Sequence, residues 1–248
     1  MNPKSVHCVY ALTSRSRRRR VPIRTTGLRG EQLRQVSVGG VGAIVGTLPR
    51  APRPTRDALR RYDRVIRDLA SRHPSLLPAR FGMCVADLAE LEATLRPRSD
   101  RLRATLRLVR GRAQMTLRLF GVVPGSDRGQ TGVRSGSYRG QIGVRSGSDR
   151  EYGATQGSGT SGAQYLRNRA AEIAIPAFDP LRAAVRRSVK AERVERHDRG
   201  RLIASVYHLI PRASADRYRR AVERAARGAD LTVVVSGTWP PYAFAGGW

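Results

Sequence analysis

The sequence predicts an α+β fold in two folded parts, and three observations lead to this prediction. Stretches with the period-2 alternation of strands and stretches with the 3.6-residue spacing of amphipathic helices follow one another in both halves of the chain. A Gly/Ser/Arg-rich stretch with an internal repeat separates the two halves. The 248 residues are 40% hydrophobic, which is enough for one large or two small cores. Helices packed on mainly antiparallel sheets would satisfy this order of elements.

The internal repeat defines the predicted domain boundaries. The unit GQTGVRSGSYR begins at Gly129 and is followed at once by GQIGVRSGSDR, which begins at Gly140. Each unit offers one or two apolar residues among Gly and Ser, so it cannot bury enough surface to offset the entropy of ordering. We therefore predict a flexible linker over 121–162, between an N-terminal domain at 1–120 and a C-terminal domain at 163–248. An arginine-rich arm for nucleic acid is the alternative interpretation of the linker.

In the first part, the strongest prediction is a helix over residues 55–73. Its apolar residues recur at helical spacing, with Pro54 before it and Pro74 after it. These apolar residues are Ala58, Leu59, Tyr62, Val65, Ile66 and Leu69. The other elements predicted for the first part are a strand at 6–12, one or two strands within 35–48, a short helix at 87–95, a third helix capped by Ser99, and a strand at 112–120.

In the second part, the predicted period changes from helix to strand twice. A helix is expected from about residue 163, interrupted by Pro176 and Pro180 and resumed as far as Val194. The elements predicted after it are a strand at 201–210, a helix capped by Ser214 that ends near Gly228, and a β-branched strand at 231–235.

The net charge of the chain is extreme. There are 47 Lys and Arg residues against 19 Asp and Glu residues, which gives +28. Such a charge favours nucleic acid, an anionic membrane surface or an acidic protein as partner. A GC-rich coding sequence would also produce this excess of arginine. Because there is no zinc finger or aromatic RNA-binding strand, nucleic-acid binding is the alternative function here, and nucleic acid is not the partner we expect.

No group of residues in the sequence suggests catalysis. The four histidines are scattered, and no His or Cys pair has the spacing of a zinc site. The glycine-rich stretch VSVGGVGAIVG at 36–46 does not match a phosphate-binding loop. We therefore expect a protein that is not an enzyme, with no catalytic residues, no metal and no cofactor.

Cysteine use and apolar runs bear on the compartment. Cys8 and Cys84 are too few and too far apart for a disulfide framework, which favours a reducing compartment. The longest mainly apolar run, 39–46, is far too short to span a membrane. No apolar segment follows the early arginine cluster, so no export signal is expected. These features predict a cytoplasmic protein without membrane contact.

Two peptides carry more specific information. One is SLLPARFG at 75–82, and the other is SGTWPPYAF at 236–244. In the second peptide, two prolines stiffen the chain while three aromatic residues concentrate apolar area, so this tail must dock on a surface. We expect it to pack on its own sheet, with direct contact to a partner as the alternative. Arg80 is expected to pair with a carboxylate or a carbonyl.

The two peptides resemble the hallmark segments of the GvpL/GvpF family of gas vesicle proteins. Leu-Pro-x-Arg-Phe-Gly matches one peptide, and the other resembles Thr-Gly-Pro-Trp-Pro-Pro-Tyr-x-Phe, with Thr238 in place of the first Pro. The residues that carry the resemblance are Leu77, Pro78, Arg80, Phe81, Gly82, Gly237, Trp239, Pro240, Pro241, Tyr242 and Phe244. Weaker matches in the same order cover nearly all of the chain outside the linker. Tyr62 stands where this family commonly has His, and Gln114 where it usually has Glu.

The resemblance implies a fold and a function. The fold is two α+β domains, the second of which resembles a ferredoxin-like sandwich. The function is that of a non-enzymatic accessory protein in gas vesicle formation, located in the cytoplasm and at the gas vesicle. Its partners would be the small hydrophobic shell protein or other gas vesicle accessory proteins. The residues that carry the resemblance are then the candidates for binding those partners.

Overall fold

The computed structural model describes residues 5–15, 23–121, 134–135, 175–198, 200–229 and 231–246. Their strands form two five-stranded sheets, which confirms the predicted α+β class. The strands are β1 (Val6–Thr13), β2 (Arg34–Val38), β3 (Val41–Leu48), β4 (Leu76–Pro78), β5 (Cys84–Val85), β6 (Arg112–Gly121), β7 (Arg134–Ser135), β8 (Ala191–Arg196), β9 (Leu202–Pro211) and β10 (Leu231–Trp239). The α-helices are α1 (Arg56–Arg72), α2 (Leu88–Leu95), α3 (Ser99–Val109), α4 (Asp179–Val185) and α5 (Ala215–Ala226).

The first sheet is antiparallel and has β1 near its centre. β3 pairs with one side of β1, and β2 continues the sheet beyond β3. β4 and β5 pair with β1 through different residues, β4 with Ala11 to Thr13 and β5 with His7 and Cys8. β2 and β3 are joined at Gly39 and Gly40, whose φ angles of 53° and 77° fit a two-residue turn that requires positive φ at both positions.

Helix α1 confirms the prediction for residues 55–73. It begins after Thr55, whose hydroxyl accepts a hydrogen bond from the Ala58 amide at 3.2 Å. It ends at Arg72, before Pro74. Its apolar stripe, which includes Ile66 and Leu69, is buried against Tyr10 and Ile44 on one face of the first sheet.

The prediction that Ser99 caps the third helix is wrong. Residues Arg96–Arg98 form a 3-10 turn that leads directly into α3, so Ser99 already has helical backbone angles. A capping residue needs an extended backbone, and the Ser99 side chain forms no capping hydrogen bond. The short helix predicted at 87–95 is confirmed as α2, and Asp87 caps it by accepting a hydrogen bond from the Glu90 amide.

The second sheet has the order β7-β10-β6-β9-β8. β6, the last element assigned to the N-terminal domain from the sequence, lies between β9 and β10 and pairs antiparallel with both. β7 pairs parallel with β10. Apart from Gly121 and β7, the predicted linker at 121–162 lies outside the described residues, as does the predicted helix up to residue 174.

Two predictions for the second part are wrong. Val194 does not continue a helix, because α4 ends at Val185 and Val194 lies in β8, where it pairs with Val206 of β9. Pairing with the sheet overrides the helical spacing of the sequence. Ser214 precedes α5 as expected, but its side chain forms no capping bond because a 3-10 turn, Arg212–Ser214, leads into the helix.

Three apolar clusters show how the layers pack. α1 covers one face of the first sheet, while α2 and α3 cover the other. The α2–α3 cluster also contains Leu209 of β9 and Phe244 from the chain end, so it joins the two sheets. α4 and α5 cover the opposite face of the second sheet, where Phe178 and Tyr218 pack against Met115.

Candidate partner-binding surface

The first signature peptide begins as an edge strand and then turns. β4 pairs Leu77 with Leu12 and Pro78 with Ala11. Leu77 and Pro78 are both buried. The amide of Ala79 continues the pairing with a hydrogen bond to the Tyr10 carbonyl at 2.9 Å. The first half of the peptide is therefore fixed in the sheet, and the direction of β4 sets the position of the residues that follow.

The turn that follows is Arg80–Met83. The Met83 amide donates to the Arg80 carbonyl at 3.2 Å, and Gly82 has a φ of +79°. No heavy atom lies within 4 Å of the position that a Cβ on Gly82 would take. Glycine is therefore favoured here by the backbone angle and not by lack of space.

Tyr62 of α1 supports the turn from inside. Its buried hydroxyl donates to the Ala79 carbonyl at 2.9 Å. Its ring packs edge-on against Phe81 at 5.4 Å and stacks with Tyr10 at 5.5 Å. Burial raises the pKa of Tyr62 well above its ordinary value, and Tyr242 and Tyr10 add to this effect. The Tyr62 hydroxyl is thus held as a neutral donor.

Arg80 differs from the expectation that its side chain pairs with a carboxylate or a carbonyl. The residue is exposed, and within the described ranges its guanidinium forms no ion pair or hydrogen bond. The backbone direction explains this, because the turn carries Arg80 outward while Phe81 turns back toward Tyr62. Arg80 is therefore a positive group available at the surface.

The second signature peptide begins with Gly237, which lies apart from the other signature residues. Its φ is +129°, and a Cβ there would come within 2.8 Å of the Gln114 carbonyl oxygen. The Gly237 carbonyl accepts a hydrogen bond from Arg219 of α5 at 2.5 Å. Gly237 therefore shapes the end of β10 against β6 and α5, and it serves packing.

Trp239 and Tyr242 are anchored by one ion pair on α1. Nε of Arg67 lies 2.7 Å from a carboxylate oxygen of Asp63. The Arg67 guanidinium carbon stands 4.3 Å from the centre of the Trp239 ring, and the Tyr242 hydroxyl donates to Asp63 at 3.4 Å. Burial of the Tyr242 hydroxyl, followed by the charge of Asp63, raises the pKa of Tyr242.

The rest of the tail is buried at the junction of the sheets. Pro240, Pro241 and Phe244 are buried, and Phe244 joins the α2–α3 cluster. The Ala243 amide donates to the side-chain oxygen of Gln114 at 2.8 Å. The tail thus packs on its own sheet, as expected, and it also packs on the first part of the chain.

The two peptides meet on one surface. The 3-10 turn Tyr242–Phe244 contacts β4, and Tyr62 and Asp63 are consecutive residues that hold one peptide each. Five signature residues here are exposed or partly exposed, and together they form what we call the signature surface: Arg80, Phe81, Gly82, Trp239 and Tyr242. Sequence analysis missed the supporting role of Asp63 and Arg67. Their i,i+4 spacing indicates an ion pair, but gives no sign of contact with residues far along the chain.

Three further observations concern cavities, metal ligands and membrane-spanning helices. One cavity of about 390 Å³ lies beside the start of α1 and is lined by Arg29, Arg50, Arg53 and Arg61 among others. Within the described part of the chain, no group of three or more His, Cys, Asp or Glu residues could hold a metal ion. No helix among the described residues is long and apolar enough to cross a membrane.

A buried polar chain also escaped the sequence analysis. His208 of β9 is fully buried, with Nδ1 2.6 Å from the Tyr218 hydroxyl and Nε2 2.7 Å from Glu192. Arg182 of α4 lies 3.1 Å from the same carboxylate group. These contacts lower the pKa of Glu192, and the His208 hydrogen bond is the largest cause. The chain links β8 and β9 to α4 and α5.

A disulfide between the two cysteines was not expected from the sequence. Cys8 of β1 and Cys84 of β5 stand directly opposite each other and form a disulfide. Their separation of 76 residues in the sequence gave no indication of this, because the pairing depends on how the edge strand β5 returns to β1.

Two solved structures share this fold along nearly the whole of both chains. The gas vesicle protein GvpF from Anabaena sp. PCC7120 gives a TM-score of 0.64 at 17% sequence identity, with 98% of this chain and 97% of that chain covered. GvpF from Microcystis aeruginosa gives a TM-score of 0.64 at 14% identity, with 97% of this chain and 98% of that chain covered. The comparison with curated proteins gives no significant match.

The fold is therefore shared with these two gas vesicle proteins, and its two sheets are antiparallel apart from the β7–β10 pair. The model of the family described as gas vesicle synthesis protein GvpL/GvpF matches residues 7–246, a range that includes both sheets and both signature peptides. The chain belongs to the GvpL/GvpF family, which confirms the resemblance seen in the sequence.

Proposed function

We propose that this protein is a non-enzymatic accessory factor of gas vesicle formation. It acts in the cytoplasm and at the gas vesicle, where it binds the hydrophobic shell protein or other gas vesicle accessory proteins. The observation that carries the proposal is the meeting of the two signature peptides on one surface, supported by consecutive residues of α1. Family membership supports a role connected with gas vesicles.

The composition of the signature surface suits protein binding. Tyr, Trp and Arg are the residues that most often dominate the binding energy of protein interfaces. Here Trp239 and Tyr242 are held by Arg67 and Asp63, so little side-chain freedom is lost when a partner binds. Arg80 adds an exposed charge without a partner among the described residues. A rigid aromatic surface beside a free guanidinium can cover an apolar segment and select for an acidic group near it.

The sheet edges are less suited to capture a strand of the shell protein. β8, at one end of the second sheet, alternates charges along its length through Glu192, Arg193, Glu195 and Arg196. Charged residues on an edge strand oppose pairing with another strand. In the first sheet, β4 is an edge strand, and the 3-10 turn Tyr242–Phe244 contacts it. We therefore assign the shielding of apolar shell segments to the signature surface and not to an open edge.

The strand order supports a further part of the proposal, that the second sheet belongs to a ferredoxin-like sandwich. With β6 as its first strand, the four strands β10-β6-β9-β8 and the helices on one face follow the β-α-β-β-α-β pattern. The Gly/Ser/Arg-rich segment then connects elements of the same sheet, and we propose that it acts as a spacer.

A capture experiment tests the function. Tagged full-length protein is used to recover proteins from cytoplasm that forms gas vesicles, with nuclease present, and mass spectrometry identifies them. We expect recovery of the shell protein or of other gas vesicle accessory proteins. The variant Arg80→Ala should recover about tenfold less, whereas Arg224→Ala, which removes an exposed arginine on α5, should change recovery by less than about twofold.

The outcomes separate the two functions considered from the sequence. Equal recovery by both variants would remove the signature surface from the proposal. Recovery only of partners that disappear with nuclease would support the alternative, a basic nucleic-acid-binding protein. Circular dichroism of the purified variants checks that each retains the fold, so that lost capture is a loss of binding.

A further inference from the structure

The chain contains two cysteines, and the fold brings them together beside the signature surface. Cys8 lies in β1 and Cys84 in the two-residue strand β5, and the two residues are direct partners in the antiparallel ladder. Their sulfur atoms form a disulfide. Neither cysteine remains as a free thiol.

The disulfide secures the weaker end of the Arg80–Met83 turn. At its start the turn follows β4, which pairs with β1 through three residues. At its end the turn leads into β5, which pairs with β1 through only two residues, one of them Cys84. One further hydrogen bond, from the Val9 amide to the Met83 carbonyl at 2.8 Å, holds this end. Without the covalent bond, the end of the turn depends on a few hydrogen bonds at a sheet edge.

The two cysteine residues differ in exposure. Cys8 is 5% exposed, whereas Cys84 is partly exposed at the edge of the sheet. Thiol–disulfide exchange depends on which sulfur an attacking thiolate can reach, so the more exposed residue, Cys84, is the expected site of attack. A disulfide whose outer sulfur is accessible can be opened without unfolding of the sheet.

We propose that the Cys8–Cys84 disulfide is a reversible redox latch that sets the order of the Arg80–Met83 turn. The reductant is a small thiol of the glutathione class. Its importance for partner binding rests on the function proposed above, since the turn carries Arg80 and Phe81. In the oxidised protein the turn is fixed, and in the reduced protein it gains freedom that must be lost again on binding.

The exchange reaction balances with two molecules of small thiol. One thiolate attacks Sγ of Cys84, the Sγ–Sγ bond breaks, and Cys8 leaves as a thiolate that takes up a proton. A second thiolate attacks the small-thiol sulfur of the mixed disulfide and releases Cys84, which also takes up a proton. Two electrons pass from the two small thiols to the protein disulfide, and the two protons that the small thiols lose equal those that the cysteines gain.

The test uses the full chain in glutathione buffers of varied redox ratio. Alkylation with iodoacetamide and mass spectrometry count the free thiols, and hydrogen–deuterium exchange follows peptides over residues 76–86. We expect no alkylation in oxidised protein, two alkylated cysteines after reduction, and recovery of the disulfide on reoxidation. Exchange over 79–86 should rise at least about threefold on reduction, while exchange in β3, which pairs with β1 from the other side, should stay the same.

The variant Cys84→Ser provides a second measurement that spares the buried Cys8. It should exchange like the reduced protein in every buffer. Three results would each overturn the latch: free thiols that persist in fully oxidised glutathione, a disulfide that native protein keeps in all glutathione buffers, or hydrogen exchange over 79–86 that does not change on reduction. An equal rise in β3 would also overturn it, because the bond would then support the whole sheet.

Failure of the latch and failure of the proposed function are distinguishable. The exchange and alkylation measurements contain no partner, so they test the latch alone. The capture experiment done with fully oxidised protein tests the function alone, since the latch is then closed in every sample.

Discussion

The guanidinium of Arg67 lies 4.3 Å from the centre of the Trp239 ring, which joins the middle of α1 to the end of the last strand. The same arginine is paired with Asp63, and the Asp63 carboxylate accepts a hydrogen bond from the Tyr242 hydroxyl. One ion pair on a helix surface therefore positions two aromatic residues of the tail. This arrangement makes α1 the support of both signature peptides, because Tyr62, one residue earlier, holds the other one.

Replacement of Arg67 by alanine should loosen the tail. We expect Arg67→Ala to lower the free energy of unfolding by about 1 kcal/mol, through loss of the cation–π contact and the exposed ion pair. Urea unfolding followed by tryptophan fluorescence measures both the loss and the change around Trp239. Arg64→Ala is the matched control, because Arg64 is exposed on the same helix and has no ion pair within the described residues. Equal effects of the two substitutions would contradict the role of Arg67.

Removal of the Tyr62 hydroxyl should destabilise the first turn from inside. Tyr62→Phe keeps the ring contacts with Tyr10 and Phe81 but leaves the buried Ala79 carbonyl without its donor. We expect a loss of about 1–3 kcal/mol in thermal or urea unfolding. Tyr207→Phe removes a hydroxyl that donates to Glu195 at 2.9 Å on the exposed side, and should cost less. If Tyr207→Phe costs as much, burial is not the reason.

Two glycines with positive φ should respond differently to alanine. At Gly82 a Cβ meets no heavy atom within 4 Å, so Gly82→Ala should cost about 1 kcal/mol from the backbone angle alone. At Gly237 a Cβ would also clash with the Gln114 carbonyl oxygen at 2.8 Å, so Gly237→Ala should cost more, about 2–3 kcal/mol. Thermal unfolding of the two variants side by side gives the comparison. A larger loss for Gly82→Ala would contradict this prediction, because it would show that the end of β10 shifts enough to relieve the clash.

The Glu192 carboxylate makes stability depend on pH. Hydrogen bonds from His208 and then Arg182 lower its pKa in the folded protein below the ordinary value of 4.5. A lowered folded pKa means that the stabilisation is present above about pH 4.5 and is lost as the pH falls through the lower value. Unfolding free energies measured from about pH 7 down to about pH 3 should therefore fall less steeply for Glu192→Gln than for the wild-type protein.

The control for this pH series is Glu223→Gln on α5. Glu223 has no hydrogen bond or ion pair among the described residues, so its removal should leave the wild-type slope unchanged. If Glu192→Gln also retains that slope, the contact with His208 does not contribute to stability in acid.

Local features of the fold were readable from the sequence because local interactions determine them. Pro54, Pro74 and the spacing of Ile66 and Leu69 are enough to place α1. Elements that depend on distant partners were missed. β4 and β5 are too short for a periodic signal and exist because β1 offers them a partner, and β8 is a strand because β9 lies beside it.

The same distinction applies to the signature surface. Its residues could be selected from composition and resemblance, since Trp239, Tyr242 and Phe81 are large apolar groups in turn-rich peptides. Which of them are exposed could not be predicted, because that depends on contacts with α1. Arg80 illustrates this limit, since its outward direction follows from the turn after β4 and not from its neighbours in the sequence.

The order of pairing in the second sheet has a consequence for synthesis on the ribosome. β6 pairs with β9 and β10, which are synthesised roughly 80 to 120 residues later. The backbone N–H and C=O groups of β6 therefore lack these strand partners until most of the chain has been made. β10 and the tail are made later still, and they complete contacts with α1, which was made among the first elements. A chain that stops before β10 therefore lacks Trp239 and Tyr242, and with them part of the signature surface.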